Sequence, residues 1–278
     1  MLEPLWLRKE IAEEIKRLCS LYKENLVMEF SNEFKDLITI TEKTEDFIGY
    51  GNPNAKILII GKEEALDIEN EDEENESNKR DKEIYEQTSK RNWELWEKIR
   101  VDSSITPDSI PIWKETRFFS PLYPWKGDTL PTGGNNTWRN YQKLINMLIP
   151  EANAGNITTF HQYAFITEFN DLPSPKSKYK DSEVKERIKH RCENVLNHPF
   201  YKSFPIVIAA CGHYVKDYNI NIEETFNQKW IKPTDSINKG EWINFHQKDN
   251  RILIHTRQLS WCSKKLIQCI AEYCKPYI

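Results

Sequence analysis

Residues 47–61 read Phe-Ile-Gly-Tyr-Gly-Asn-Pro-Asn-Ala-Lys-Ile-Leu-Ile-Ile-Gly. Gly49 to Asn54 is a cluster of turn formers, and it runs directly into a short apolar stretch over Ala55–Ile60 that Gly61 stops. That stretch is short for a helix and rich in β-branched side chains, which predicts a strand buried on both faces. Working outward, three more stretches have the same character: Tyr163-Ala-Phe-Ile-Thr, Pro205-Ile-Val-Ile-Ala-Ala-Cys-Gly and Arg251-Ile-Leu-Ile-His. Between and around them lie helical stripes. Ile11, Ile15, Leu18 and Tyr22 form one over 11–26. Trp138, Tyr141, Leu144, Ile145 and Leu148 form another behind an Asn or Thr cap. Val184, Ile188, Cys192 and Val195 form a third over 182–196 behind Ser182. A last helix carries Leu266, Ile267, Ile270 and Tyr273 and is capped by Ser260 or Ser263. Apolar strands alternating with amphipathic helices predict an α/β domain whose mostly parallel sheet is covered on both faces. Residues 101–136 read as loop, Trp93, Trp96 and Ile99 mark a Trp-rich helical segment, and 213–249 are mixed and polar.

A chain of 278 residues can bury enough surface to need no disulfide or metal staple. The longest apolar runs are far shorter than the roughly 18 residues a membrane span requires. The N-terminus turns charged too early for a signal-peptide core. Six cysteines without a C-x-x-C pair or zinc spacing read as buried thiols in a reducing compartment, so the expected setting is cytoplasmic, without metal or cofactor.

The net charge of −4 hides an uneven distribution. Residues 63–76 hold nine acids and no base, and the rest of the chain carries +5. Such a block reads as a solvated loop or interaction segment. Lys176, Lys178, Lys180, Lys185, Arg187, Lys189 and Arg191 form a basic stretch, read either as a solvated helix face or as a set of phosphate contacts.

In parallel α/β sheets ligands bind beyond the carboxyl ends of the strands. Those ends carry Gly61-Lys62-Glu63-Glu64, Thr167-Glu168, Gly212-His213 and His255-Thr256-Arg257. The pattern predicts a carboxylate and imidazole site on one rim.

Five segments in order resemble the uracil-DNA glycosylase superfamily. Phe47–Gly61 resembles its G-x-G-N-P-x-A lead-in and first core strand. Trp138–Leu148 is similar to the helix that follows. Ala164-Phe-Ile-Thr-Glu-Phe-Asn-Asp-Leu-Pro-Ser-Pro is similar to its second strand and proline loop. Ile206-Val-Ile-Ala-Ala-Cys-Gly resembles the third strand, and Ile254-His-Thr-Arg-Gln-Leu-Ser260 its H-P-S-x-L-S motif.

The resemblance implies a three-layer α/β/α fold with a central, mostly parallel four-stranded sheet. It implies a domain over 47–278, an acidic and Trp-rich insertion at about 63–135, and a helical segment over 1–46 before it. It implies hydrolysis of the N-glycosidic bond of uracil or another modified base in DNA, and the chain is expected to act as a monomer. Glu63 stands at the water-activating acid, though Glu63 and Glu64 also simply open the acidic block. His255 stands at the anion-stabilising His, or is a satisfied structural one. Phe118 or Phe119 matches the ring that stacks on the base. Glu168 stands where the family has an Asn that reads the base edge. Arg257, Leu259 and Ser260 fall in the DNA-contacting loop, Leu259 at the wedge position, where a core Leu is the other reading. A carboxylate only accepts hydrogen bonds, so Glu168 suits a base presenting N–H groups better than uracil. The implied alternatives are a non-catalytic nucleic-acid-binding member and a nucleoside- or nucleotide-processing enzyme.

Overall fold

The computed structural model describes residues 30–41, 44, 46–63, 136–153, 159–171, 182–233 and 237–278. The expected helix over 11–26, the acidic block beyond Glu63, the Trp-rich segment, Phe118 and Phe119 lie outside the described residues.

The strands are β1 Tyr50–Gly51, β2 Ile57–Gly61, β3 Ala164–Glu168, β4 Ile206–Ala209, β5 Trp230–Pro233, β6 Ile243–Lys248 and β7 Arg251–Thr256. They form one sheet in the order β1-β3-β2-β4-β7-β6-β5. β2 pairs in parallel with β3 and β4, and β4 in parallel with β7. β1, β6 and β5 add to the two sides antiparallel. The expectation of a four-stranded sheet is therefore corrected: the protein is α/β, but among the described residues its sheet is mixed and has seven strands. Three strands were not expected: β1 is two residues within the turn cluster, and β5 and β6 lie in the polar 213–249 region. β6 is Ile-Asn-Phe-His-Gln-Lys, and all four residues of β5 are exposed. An antiparallel wing that meets water has no continuous apolar run to betray it.

Among the described residues the four longer helices are α1 Asn32–Thr41, α2 Asn136–Leu148, α3 Ser182–Asn194 and α4 Lys264–Cys274. Side chains alternate along a strand, so each central strand feeds two cores. Ile57 and Ile59 of β2 pack with Trp138, Tyr141, Leu144 and Ile145 of α2 and Leu266, Ile267 and Ile270 of α4. Leu58 and Ile60 pack on the other face with Phe34, Leu37 and Ile38 of α1 and Val184 and Ile188 of α3. All four β2 side chains are fully buried, each contributing about 1.5–3 kcal/mol relative to exposure. Ser263 caps α4 by accepting from Leu266 N–H at 3.2 Å, which settles the cap left open between Ser260 and Ser263.

The Gly49–Gly51 pair is required by backbone contact. Both have positive φ, at 142° and 91°, and a Cβ on either would stand 2.4 Å from a β3-side carbonyl oxygen, of Ile166 or Ala164. Only glycine lets β1 lie this close.

Lys176, Lys178 and Lys180 of the basic stretch lie outside the described residues; of the rest, the two arginines turn inward. Arg191 is fully buried. Its guanidinium donates to the Glu168 carbonyl at 3.1 Å, the Phe47 carbonyl at 2.7 Å, Asp171 Oδ2 at 3.0 Å and Thr167 Oγ1 at 3.2 Å. Arg187 donates to Asp171 Oδ1 at 2.5 Å and Asp46 Oδ1 at 2.9 Å. Burial opposes ionisation of Asp171, but the Arg191 charge and the Arg187 hydrogen bond outweigh it and hold the carboxyl down at about 2. These two arginines tie the lead-in, the end of β3 and α3 together. Lys185 and Lys189 remain exposed on α3.

Candidate functional site at the carboxyl rim

β3 lies on one side of β2 and β4 on the other. The winding reverses there, and such a switch point opens a crevice outside the carboxyl ends of β2 and β4. Beyond β2 the chain stays beside the β3 exit: Phe169 N–H donates to Gly61 O at 3.2 Å and Asn170 N–H to Lys62 O at 2.8 Å. Beyond β4 it turns sharply at Gly212, where φ is +60°. The fully buried Tyr214 follows this turn, and its hydroxyl donates to Glu63 Oε2. Lys62 Nζ lies 5.0 Å from the Tyr214 ring centroid. Its Cε is 3.3 Å from where a Cβ on Gly212 would stand. An acid, an ammonium and a phenol thus meet at the β2/β4 mouth.

Glu168 ends β3 directly opposite Gly61. Its Oε1 and the Tyr141 hydroxyl each lie 3.8 Å from the point where a Gly61 side chain would begin. Burial, then the Glu168 and Cys211 charges, push the Tyr141 hydroxyl well above the usual phenol range. It stays protonated and can donate. Tyr141 belongs to the core on one face of the sheet and Tyr214 to the core on the other, so Glu168 and Glu63 have neighbours on opposite faces.

His255 is near the end of β7 and buried. Its Nε2 bonds to the Gly212 carbonyl at 2.8 Å, and Asn244 Nδ2 lies 3.3 Å from its Nδ1. Trp242 packs edge-on against it at 4.8 Å. Burial lowers its pKa to about 4, the Gly212 bond opposing and the nearby His246 and His213 adding to the shift. The imidazole is neutral at pH 7. Glu63 and His255 are linked through one turn: Tyr214 holds the acid and Gly212 holds the imidazole.

His255 also lines a separate cleft of about 560 Å³ between the segment 212–223 and strands β5 and β6.

In the loop after β7, Arg257 and Ser260 are half-buried. Leu259 is not presented to a partner. Its side chain is fully buried among Ile254, Leu266 and Ile267, and its carbonyl accepts from Asn140 Nδ2 at 2.6 Å. The expectation of a wedge there is corrected, because that side chain already belongs to the core. The neighbouring Trp261 is 75% exposed instead. Sequence reading passed over Trp261, although its place directly after the motif was a usable signal. Tyr214 and Tyr141 left no local signal, since each acts on a residue distant in the chain.

Among the described residues the five cysteines are free, and no group of three His, Cys, Asp or Glu side chains is set to hold a metal ion. No helix among them is long and apolar enough to cross a membrane. No family model, no curated protein and no solved structure matches the chain.

Proposed function

We propose that the chain is a DNA glycosylase-like hydrolase of the uracil-DNA glycosylase superfamily, on a three-layer α/β/α scaffold, and that it removes a modified base from DNA. Four adjacent parallel strands with helices packed on both faces support the architecture. The observation that carries the chemistry is Glu63 at the switch-point mouth, gripped by Tyr214 and flanked by Lys62.

Cleaving a glycosidic bond builds positive charge on the sugar and negative charge on the departing base. The Glu63 carboxylate stabilises the sugar cation, orients the water that attacks C1′ and takes up the proton that this water loses as the C1′–O bond forms. As the C1′–N bond breaks, its electron pair leaves with the base. The Lys62 charge beside Glu63 stabilises that anion. Groups preorganised toward developing charge in a dry site contribute several kcal/mol. The base must leave the stack to reach them and be read on its edge. Glu168 accepts N–H groups there and Tyr141 donates, a pairing suited to a base carrying an amino group, such as a cytosine or guanine derivative.

The test is a panel of duplexes and single strands carrying uracil, deaminated and alkylated bases, read for abasic sites. At least one substrate is cut, and Glu63→Gln slows the reaction by about 10²-fold or more. A panel left intact at high enzyme concentration overturns the reading.

One observation favours a second reading, a non-catalytic nucleic-acid-binding protein of the same fold. Both His255 nitrogens are occupied inside the protein, so its donor is not presented to a base. Steeply salt-dependent DNA binding without abasic product distinguishes this reading. In either case Trp261→Ser weakens DNA binding by about tenfold, as loss of one stacking ring does.

A further inference from the structure

The cleft beside the antiparallel wing has no part in the chemistry above, yet it has the make-up of a ligand site. Its wall is aromatic. Trp242 is fixed by an edge contact to His255 at 4.8 Å and by stacking on His213 at 5.8 Å. Trp230 lines the same cleft from β5 and is 51% exposed. Its polar groups come from neighbouring strands: His246 stands opposite Trp230 and Asn244 opposite His255 in the sheet registers. Glu223, which accepts from Trp230 N–H at 2.7 Å, lines the cleft beside it.

His246 is 4% exposed, and its Nδ1 is buried without a hydrogen bond. The main chain of Leu253 and Asn244 lies near the ring, but it supplies no bond of ordinary geometry to Nδ1. A buried polar atom without a partner is costly and rare in folded proteins. Here it belongs to a residue lining an open cleft between two indoles.

We propose that this cleft binds a planar heterocycle with N–H and carbonyl groups on its edge, a nucleobase presented as a nucleoside. The ring stacks on the tryptophans and its edge bonds to His246 Nδ1. A nucleobase edge carries both donors and acceptors, so it serves either imidazole tautomer. Asn244 and Glu223 offer further partners. A purely apolar ring would leave Nδ1 as it is. A cleft of 560 Å³ falls in the size range of small-molecule sites.

The experiment is calorimetric and saturation-transfer NMR titration of the full chain with adenosine, guanosine, cytidine and uridine. Benzyl alcohol serves as the apolar aromatic control. At least one nucleoside binds saturably with Kd below about 1 mM, and more tightly than the control. Trp230→Ser, at an exposed position, weakens it by about tenfold with unchanged Tm. His246→Phe weakens nucleoside binding and leaves the control unchanged. Absence of saturable binding by all four nucleosides overturns the proposal, as does binding indifferent to both substitutions. Glu63→Gln separates the two sites: it leaves nucleoside affinity unchanged if the cleft is the site, and abolishes it if the ligand sits at the rim. The outcome is independent of the abasic-site assay.

Discussion

Arg191 and His246 are both buried polar side chains, and they sit in opposite circumstances. Arg191, packed beneath the parallel centre, has partners on four sides: two carbonyls, a hydroxyl and a carboxylate. His246, in the antiparallel wing, has a buried nitrogen with none, and beside it the Gln228 side-chain amide is buried without a hydrogen-bond partner. A saturated polar group specifies structure. An unsaturated one costs stability and persists where something other than folding uses it.

The contrast is broken most directly at Arg191. Arg191→Ala leaves the Glu168 and Phe47 carbonyls without their donor in the interior and leaves Asp171 to Arg187 alone, and unfolding in urea should register a loss of about 3–5 kcal/mol. Next comes acid sensitivity at His255. Its folded pKa of about 4 lies below the ordinary 6.5, so the unfolded chain binds the proton first. Stability is therefore full above about pH 6.5 and falls by about 3 kcal/mol as pH drops to 4. In His255→Gln that part of the pH dependence disappears, while the buried His161, lowered by burial to about 3, keeps a slope of its own at least as large.

Asp171 titrates in a lower window. Its carboxyl sits at about 2, against 3.8 unperturbed. Its ionised form contributes about 2 kcal/mol above pH 4, lost as pH falls toward 2. Denaturation curves of Asp171→Asn across pH 2–4 should lack this step. The effect at His246 has the opposite sign. His246→Phe removes the unpaired nitrogen at similar volume and should raise stability by about 1 kcal/mol in thermal melts. Trp261→Ser is smallest, within about 0.5 kcal/mol, because a ring so exposed contributes little to folding.

The sequence made some of this plain and not the rest, for physical reasons. β2, β3, β4 and β7 stood out because strands buried on both faces must be apolar throughout. β5 and β6 did not, because one face meets water and polar residues interrupt the run. Arg191 was readable in principle. It falls seven residues after Val184 and three after Ile188, on the buried stripe of α3, but an arginine within a basic stretch reads as a solvated face or a phosphate contact. Glu63 and His255 were legible as strand-end residues. Their partners were not. Tyr214 reaches Glu63 across 151 residues and Gly212 reaches His255 across 43, and no local pattern encodes contacts that long. Leu259 failed as a wedge because a motif position carries no information on which way its side chain turns.

β5 closes the sheet among the described strands, with Trp230 and Ile231 about half exposed. A terminal strand of this kind invites another chain to dock on its free backbone groups and propagate into fibrils. Three features there oppose it: the register break between Trp230 and Lys232, the Lys232 charge, and Pro233, which has no N–H to offer. These are the devices by which natural sheets stop intermolecular strand addition. The wing thus keeps an aromatic margin next to the cleft without becoming a template for aggregation.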